Sequence, residues 1–236
     1  MDKPRNAPVP QSSTSDDVAA FVKAAKSTPA PAPSGRGRLI FALDATMSRQ
    51  PTWDLAQRLQ GRMFQAAANL GGLDVQLVYF RGMGECRASP FVSGGQGLAE
   101  LMSGIAVRGG TTQLRKALAH ALGEARRAKV GALVFVGDAM EESFDALMGV
   151  AGELALVGVK AFMFQEGDDP RARRAFQEIA RLTGGAYSAF DAGAAARLEA
   201  LLRAAATYAA GGRAALEAQA KDETCARALL EQMRGA

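Results

Sequence analysis

The sequence is poor in the residues that most often carry catalytic or metal chemistry: its 236 residues include two cysteines and one histidine. Cys86 and Cys225 are too few for a disulfide scaffold, and they have no paired spacing with His120 of the kind that holds zinc, which excludes a thiolate metal site. No run approaches the roughly 18 apolar residues of a membrane-spanning helix. The first 30 residues are acidic and proline-rich where a signal peptide would carry an apolar stretch, so the expected location is cytoplasmic, with no membrane as partner. An excess of one charge is also missing. The 28 basic and 24 acidic residues are interspersed and leave a net charge of +4, which speaks for solubility and against nucleic acid as a partner.

What is present is enough apolar material, 48% of residues, for the core of one ordinary domain with something left over at the ends. Six of the nine prolines (Pro4, Pro8, Pro10, Pro29, Pro31 and Pro33) fall in the first 33 residues. Residues 1–36 therefore read as a flexible tether, within which Ser15 to Lys23 suits a short capped helix with Val18, Phe21 and Val22 on one face. At the other end, 16 of the 43 residues from Ala194 to Ala236 are alanine. That composition favours helix but offers little volume for a separate core, and Gly211-Gly212 is expected to divide it. Residues 37–206 are the expected domain, and 207–236 an Ala-rich helical tail anchored by Leu216, Leu229 and Leu230.

Within 37–206, Leu39 to Leu43 and Ala132 to Val136 are continuously apolar, as strands of a parallel sheet covered on both faces must be. Gly158 to Phe164 is a weaker run of the same kind, and Asp74 to Phe80 is a further strand. Glu85 to Val92 follows through a connection too short for a parallel crossover and contains Pro90, which predicts an antiparallel edge strand. Leu55, Leu59, Met63, Ala66 and Leu70 recur at helical spacing after Pro51, up to Gly71-Gly72. Leu114 to Ala125, Ser143 to Ala155 and Pro170 to Thr183 read as further helices. The succession predicts an α/β fold, Rossmann-like, with a doubly wound and mostly parallel sheet flanked by helices and one antiparallel edge strand.

Ligands of such sheets bind beyond the carboxyl ends of the strands, where the winding reverses. Asp44-Ala45-Thr46-Met47-Ser48 follows the first strand there, Asp138 follows the Ala132 strand, and Gly109-Gly110-Thr111-Thr112 precedes the Leu114 helix. Two carboxylates and several hydroxyls, without imidazole or thiol, are the hard oxygen donors preferred by Mg2+ or Mn2+. These three pieces resemble the von Willebrand factor type A (VWA) family, whose metal-ion-dependent adhesion site (MIDAS) is written D-x-S-x-S, then T, then D. The resemblance covers residues 38 to 206. It implies a metal held by Asp44, Thr46, Ser48, Thr111 and Asp138, and a protein partner that presents Asp or Glu to it. Two positions depart from the family pattern: Thr46 stands for the commoner serine, and Gly137-Asp138-Ala139 for Thr-Asp-Gly.

Other α/β readings lack their residues. A haloacid-dehalogenase phosphatase needs an acid two positions after its first aspartate, where this chain has Thr46. Neither G-x-G-x-x-G after the first strand nor G-x-x-x-x-G-K-S/T is present, so dinucleotides and P-loop nucleotides have no phosphate cradle. His120 is expected to face solvent, away from any nucleophile. Glu141 and Glu142 suit either the rim of the metal site or the first turn of the Ser143 helix. The expectation is a binding module of the VWA class that is not an enzyme, an intracellular adaptor. A Mg2+-dependent hydrolase acting on a phosphate or carbonyl substrate is the alternative, and a metal-free scaffold a third reading.

Overall fold

The computed structural model describes residues 35–46, 50–106, 108–191 and 194–233. The expected tether, with its Ser15 to Lys23 helix, and Ser48 lie outside the described residues, apart from Gly35 and Arg36. Gly35–Ala236 forms one compact unit.

Six strands, β1 (Gly37–Asp44), β2 (Leu73–Arg81), β3 (Glu85–Val92), β4 (Ala132–Gly137), β5 (Lys160–Glu166) and β6 (Ala186–Phe190), form one sheet in the order β3-β2-β1-β4-β5-β6. All neighbours are parallel except β2 and β3, which form an antiparallel hairpin. The doubly wound, mostly parallel α/β architecture with one antiparallel edge strand is therefore as the sequence predicts. The described helices are α1 (Gln50–Ala67), α2 (Gly95–Ser103), α3 (Leu114–Arg127), α4 (Phe144–Leu156), α5 (Pro170–Thr183), α6 (Ala195–Gln219) and α7 (Thr224–Gln232). Winding reverses between β1 and β4, so the crevice of this sheet opens at their carboxyl ends.

Alternate residues of the central strands enter two cores, as strand geometry requires. Leu39, Phe41 and Leu43 face α1, α2, α6 and α7, while Ile40 and Ala42 face α3, α4 and α5. Helix α1 passes into a 3-10 turn (Ala68–Leu70) capped by Gly71, whose φ of 97° only glycine adopts readily, and Gly72 N–H returns to the Ala67 carbonyl. Helix α6 runs to Gln219 with non-helical backbone at Gly212 (φ 67°), where the sequence expects the division. Leu216, Leu229 and Leu230 are buried in the same core as Leu39 and Phe41. Arg36, at the entry to β1, donates to Asp74 and to the carbonyls of Leu73 and Ser93.

The hairpin contains a bulge opposite Leu77. Pro90 has no N–H to give the ladder, and at the bulge the Leu77 N–H donates to the Ser89 hydroxyl at 3.0 Å. His120 is corrected by this hairpin. It is half-buried, not solvent-facing, with Nε2 2.9 Å from Oε1 of Gln76 on β2, while Gln76 Nε2 donates to the Ser89 carbonyl. Burial holds its imidazole below the ordinary value of 6.5. The unfolded chain thus protonates first as pH falls, and the wild type loses stability between the unfolded and the lower folded pKa. Urea unfolding at pH 7 and pH 5 should show a steeper loss for wild type than for His120→Gln.

Candidate metal centre

Asp44 is the last residue of β1 and lies opposite Phe80, while its neighbour Leu43 lies opposite Val136 of β4. Asp138 leaves β4 two residues beyond Val136, so the two carboxylates share the sheet edge at which the winding reverses. Asp44 is 2% exposed and Thr46 7% exposed. Oδ1 of Asp44 accepts the Thr46 N–H at 2.8 Å, an Asx turn at the end of β1. Asp138 is half-buried and Thr111 exposed.

The Thr111 loop is fastened to both neighbours. Arg108 N–H donates to the Ala45 carbonyl at 3.0 Å, and Thr111 N–H donates to the Gly82 carbonyl at 3.3 Å on the β2–β3 turn. The buried Gln113 side chain bonds the carbonyls of Arg81, Gly82 and Glu85 from beneath. Glu141 and Glu142 reach across to the start of α3 and do not open α4. Ser143 caps α4, whereas Glu141 accepts the Thr112 N–H (3.2 Å) and Glu142 the Arg115 N–H (3.0 Å) at the start of α3. Burial raises the Glu142 pKa, against the lowering effect of its bonds to backbone N–H groups. The loops after β1, before α3 and after β4 are therefore linked by backbone and carboxylate bonds, which brings Asp44, Thr46, Thr111 and Asp138 to one edge. Ser48 lies outside the described residues.

Gly110 has no room for a side chain: a Cβ there would stand 2.3 Å from Gly82 N and 2.4 Å from Gly82 O, both backbone atoms. Gly110→Ala should push the Thr111 loop off the hairpin at a cost of about 1–3 kcal/mol. Its expected signature is a lowered melting temperature together with weakened Mn2+ binding.

Donor chemistry fits a hard divalent cation, since carboxylate and hydroxyl oxygens are what Mg2+ and Mn2+ take. Among the described residues no three His, Cys, Asp or Glu side chains are grouped to hold an ion, so the hydroxyls are needed to complete any such site.

No family model matches the sequence, and comparison with curated proteins gives no match. Solved structures are similar in fold. An aerotolerance-related membrane protein from Bacteroides fragilis is 19% identical, with a TM-score of 0.55 over 72% of this chain and 98% of that one. The SpRpn10 VWA domain is 12% identical, with a TM-score of 0.55 over 75% and 97% of the two chains. Proximal thread matrix protein 1 from the mussel byssus, with a zinc-occupied MIDAS motif, is 13% identical, with a TM-score of 0.55 over 73% of this chain and 46% of that one. The chain has a VWA-type fold.

Two residues at the edge of this VWA-type sheet are absent from the sequence reading. Glu166 closes β5, 9% exposed, and Thr52 lies buried in the first turn of α1 with its hydroxyl donating to the Glu166 carboxylate. Glu166 carries the same signal as Asp44 and Asp138, an acid ending an apolar strand. Thr52 carries none, because nothing local shows that α1 begins over β5. The described helices include none long and apolar enough to cross a membrane.

Proposed function

We propose that the chain is a metal-dependent protein-binding module, in which Mg2+ or Mn2+ held by Asp44, Thr46, Ser48, Thr111 and Asp138 captures an Asp or Glu side chain of a protein partner. One observation carries the reading: three loops bearing only oxygen donors are tied together at the point where the winding of the sheet reverses. The zinc-occupied MIDAS of the mussel protein, on a similar fold, supports divalent metal binding in general terms. When bound, the cation supplies a Lewis-acidic anchor for an outside carboxylate oxygen. The chain's own part is to hold the donors ready. Asp44 is oriented by the Thr46 N–H, and the Thr111 loop is tied to the β1 loop and the β2–β3 turn.

Binding rather than turnover is favoured by the place of His120. It is bonded to Gln76, four residues back along β2 from Phe80, the residue opposite Asp44, a distance of about 13 Å at the rise of a strand. The site thus draws no imidazole base from it. The proposed setting is the cell interior, as an adaptor.

Calorimetry with Mg2+ and Mn2+ tests the metal, and partner capture in Mg2+ against chelator tests the role. One binding site per chain and chelator-sensitive capture are expected. Absence of metal uptake, or capture indifferent to chelator, would overturn the proposal.

A further inference from the structure

We infer that the Thr52–Glu166 pair positions the metal-binding loop from outside the donor set, an inference that rests on the metal-binding reading above. Residues 45–51 leave the end of β1 and carry Thr46 and Ser48. Thr52, just past their far end, is set by where α1 begins. The Thr52 hydroxyl, in the first turn of α1, donates to Oε2 of Glu166 at the end of β5. Both side chains are out of solvent, at 3% and 9% exposed. Strand β4 lies between β1 and β5, so the bond ties the loop's far end about 10 Å along the sheet edge from its origin, two strand spacings away.

The opposite flank of the same turn is held as well. Trp53, 2% exposed, sets its ring edge-on to Tyr79 of β2, with centroids 6.4 Å apart. The first turn of α1 is thus pinned toward β5 by Thr52 and toward β2 by Trp53, with β1 and Asp44 between them. The Glu166 carboxylate also stands at the amino end of α1, where the helix dipole favours a negative charge. It does not join Asp44 and Asp138 as a third carboxylate ligand, since the described residues contain no such group of three. Its effect on a metal passes through Thr52 and the loop, as an outer partner acts through the ligand it orients.

The experiment measures Mn2+ affinity by calorimetry on the full chain, together with amide hydrogen exchange of residues 50–55 in metal-free protein. Thr52→Val and Glu166→Ala should weaken Mn2+ binding about 10–100-fold and speed exchange in the first turn of α1. Thr52→Ser and Glu166→Gln keep a hydroxyl donor and an acceptor oxygen, and should remain near wild type in both readouts. Thr52→Ala replaces Thr52→Val if the latter does not fold, as checked by circular dichroism. A folded Thr52→Val or Thr52→Ala protein with wild-type affinity overturns the inference and leaves the metal site standing. Weakened binding without faster exchange also overturns it, because Thr52 would then act as a ligand. A wild type that takes up no Mn2+ overturns both readings.

Discussion

Asp44→Ala is expected to abolish binding of Mg2+ and Mn2+ while the chain stays folded. Outer partners of metal ligands are worth about 10–100-fold in affinity, and a direct carboxylate ligand should exceed that range. Asp44 is also the most enclosed acid at the sheet edge among the described residues, at 2% exposed. The structural cost is small by comparison. Alanine fits the space, and one loss is the acceptor for the buried Thr46 N–H, which costs about 1–3 kcal/mol when left unsatisfied. Asp44→Asn separates the two effects, because it keeps an acceptor for Thr46 and removes the charge. Calorimetry with Mn2+ and circular dichroism on the three proteins decide the matter. Equal uptake by wild type and Asp44→Ala would move the metal elsewhere.

Removal of residues 207–236 should leave a chain that does not fold. Ala210, Leu216, Leu229 and Leu230 belong to the same buried cluster as Leu39, Phe41 and Leu43 of the central strand. Helix α6 lies so close to the sheet that a Cβ on Gly37 would stand 2.4 Å from the Ala209 carbonyl. Three buried leucines contribute about 1.5–3 kcal/mol apiece, a large part of the ~5–15 kcal/mol that separates a folded domain from its unfolded chain. Leu229→Ala alone should cost about 2–5 kcal/mol and lower the urea midpoint without changing Mn2+ affinity. A truncated protein with a cooperative thermal transition and native circular dichroism would refute the expectation.

The elements that the sequence foretells are those whose signals are local. Helix α5 spans Pro170–Thr183, as read, because Asp169 caps it, Pro170 suits its first turn and Gly184 ends it with φ of 61°. The apolar runs of β1, β4 and β5 need cover on both faces whatever covers them, and Glu85–Val92 follows from a short connection and one proline. Strand β6, which the reading does not name, is short and mixed in polarity, and α2 is obscured by Gly94, Gly95 and Gly97.

Sequence alone determined the α/β class, the edge strand and which oxygen donors follow which strand, because capping, periodicity and apolar continuity act over a few residues. Tertiary structure decided which loops those donors share. Glu141 and Glu142 bond N–H groups 29 and 27 residues upstream, and Thr52 meets Glu166 across 114 residues. His120 reaches Gln76 because the helix packs on the hairpin, which a helical wheel does not show. Such bonds form only after the strands have paired in order, since strand order sets which loop ends adjoin and no short-range preference encodes it.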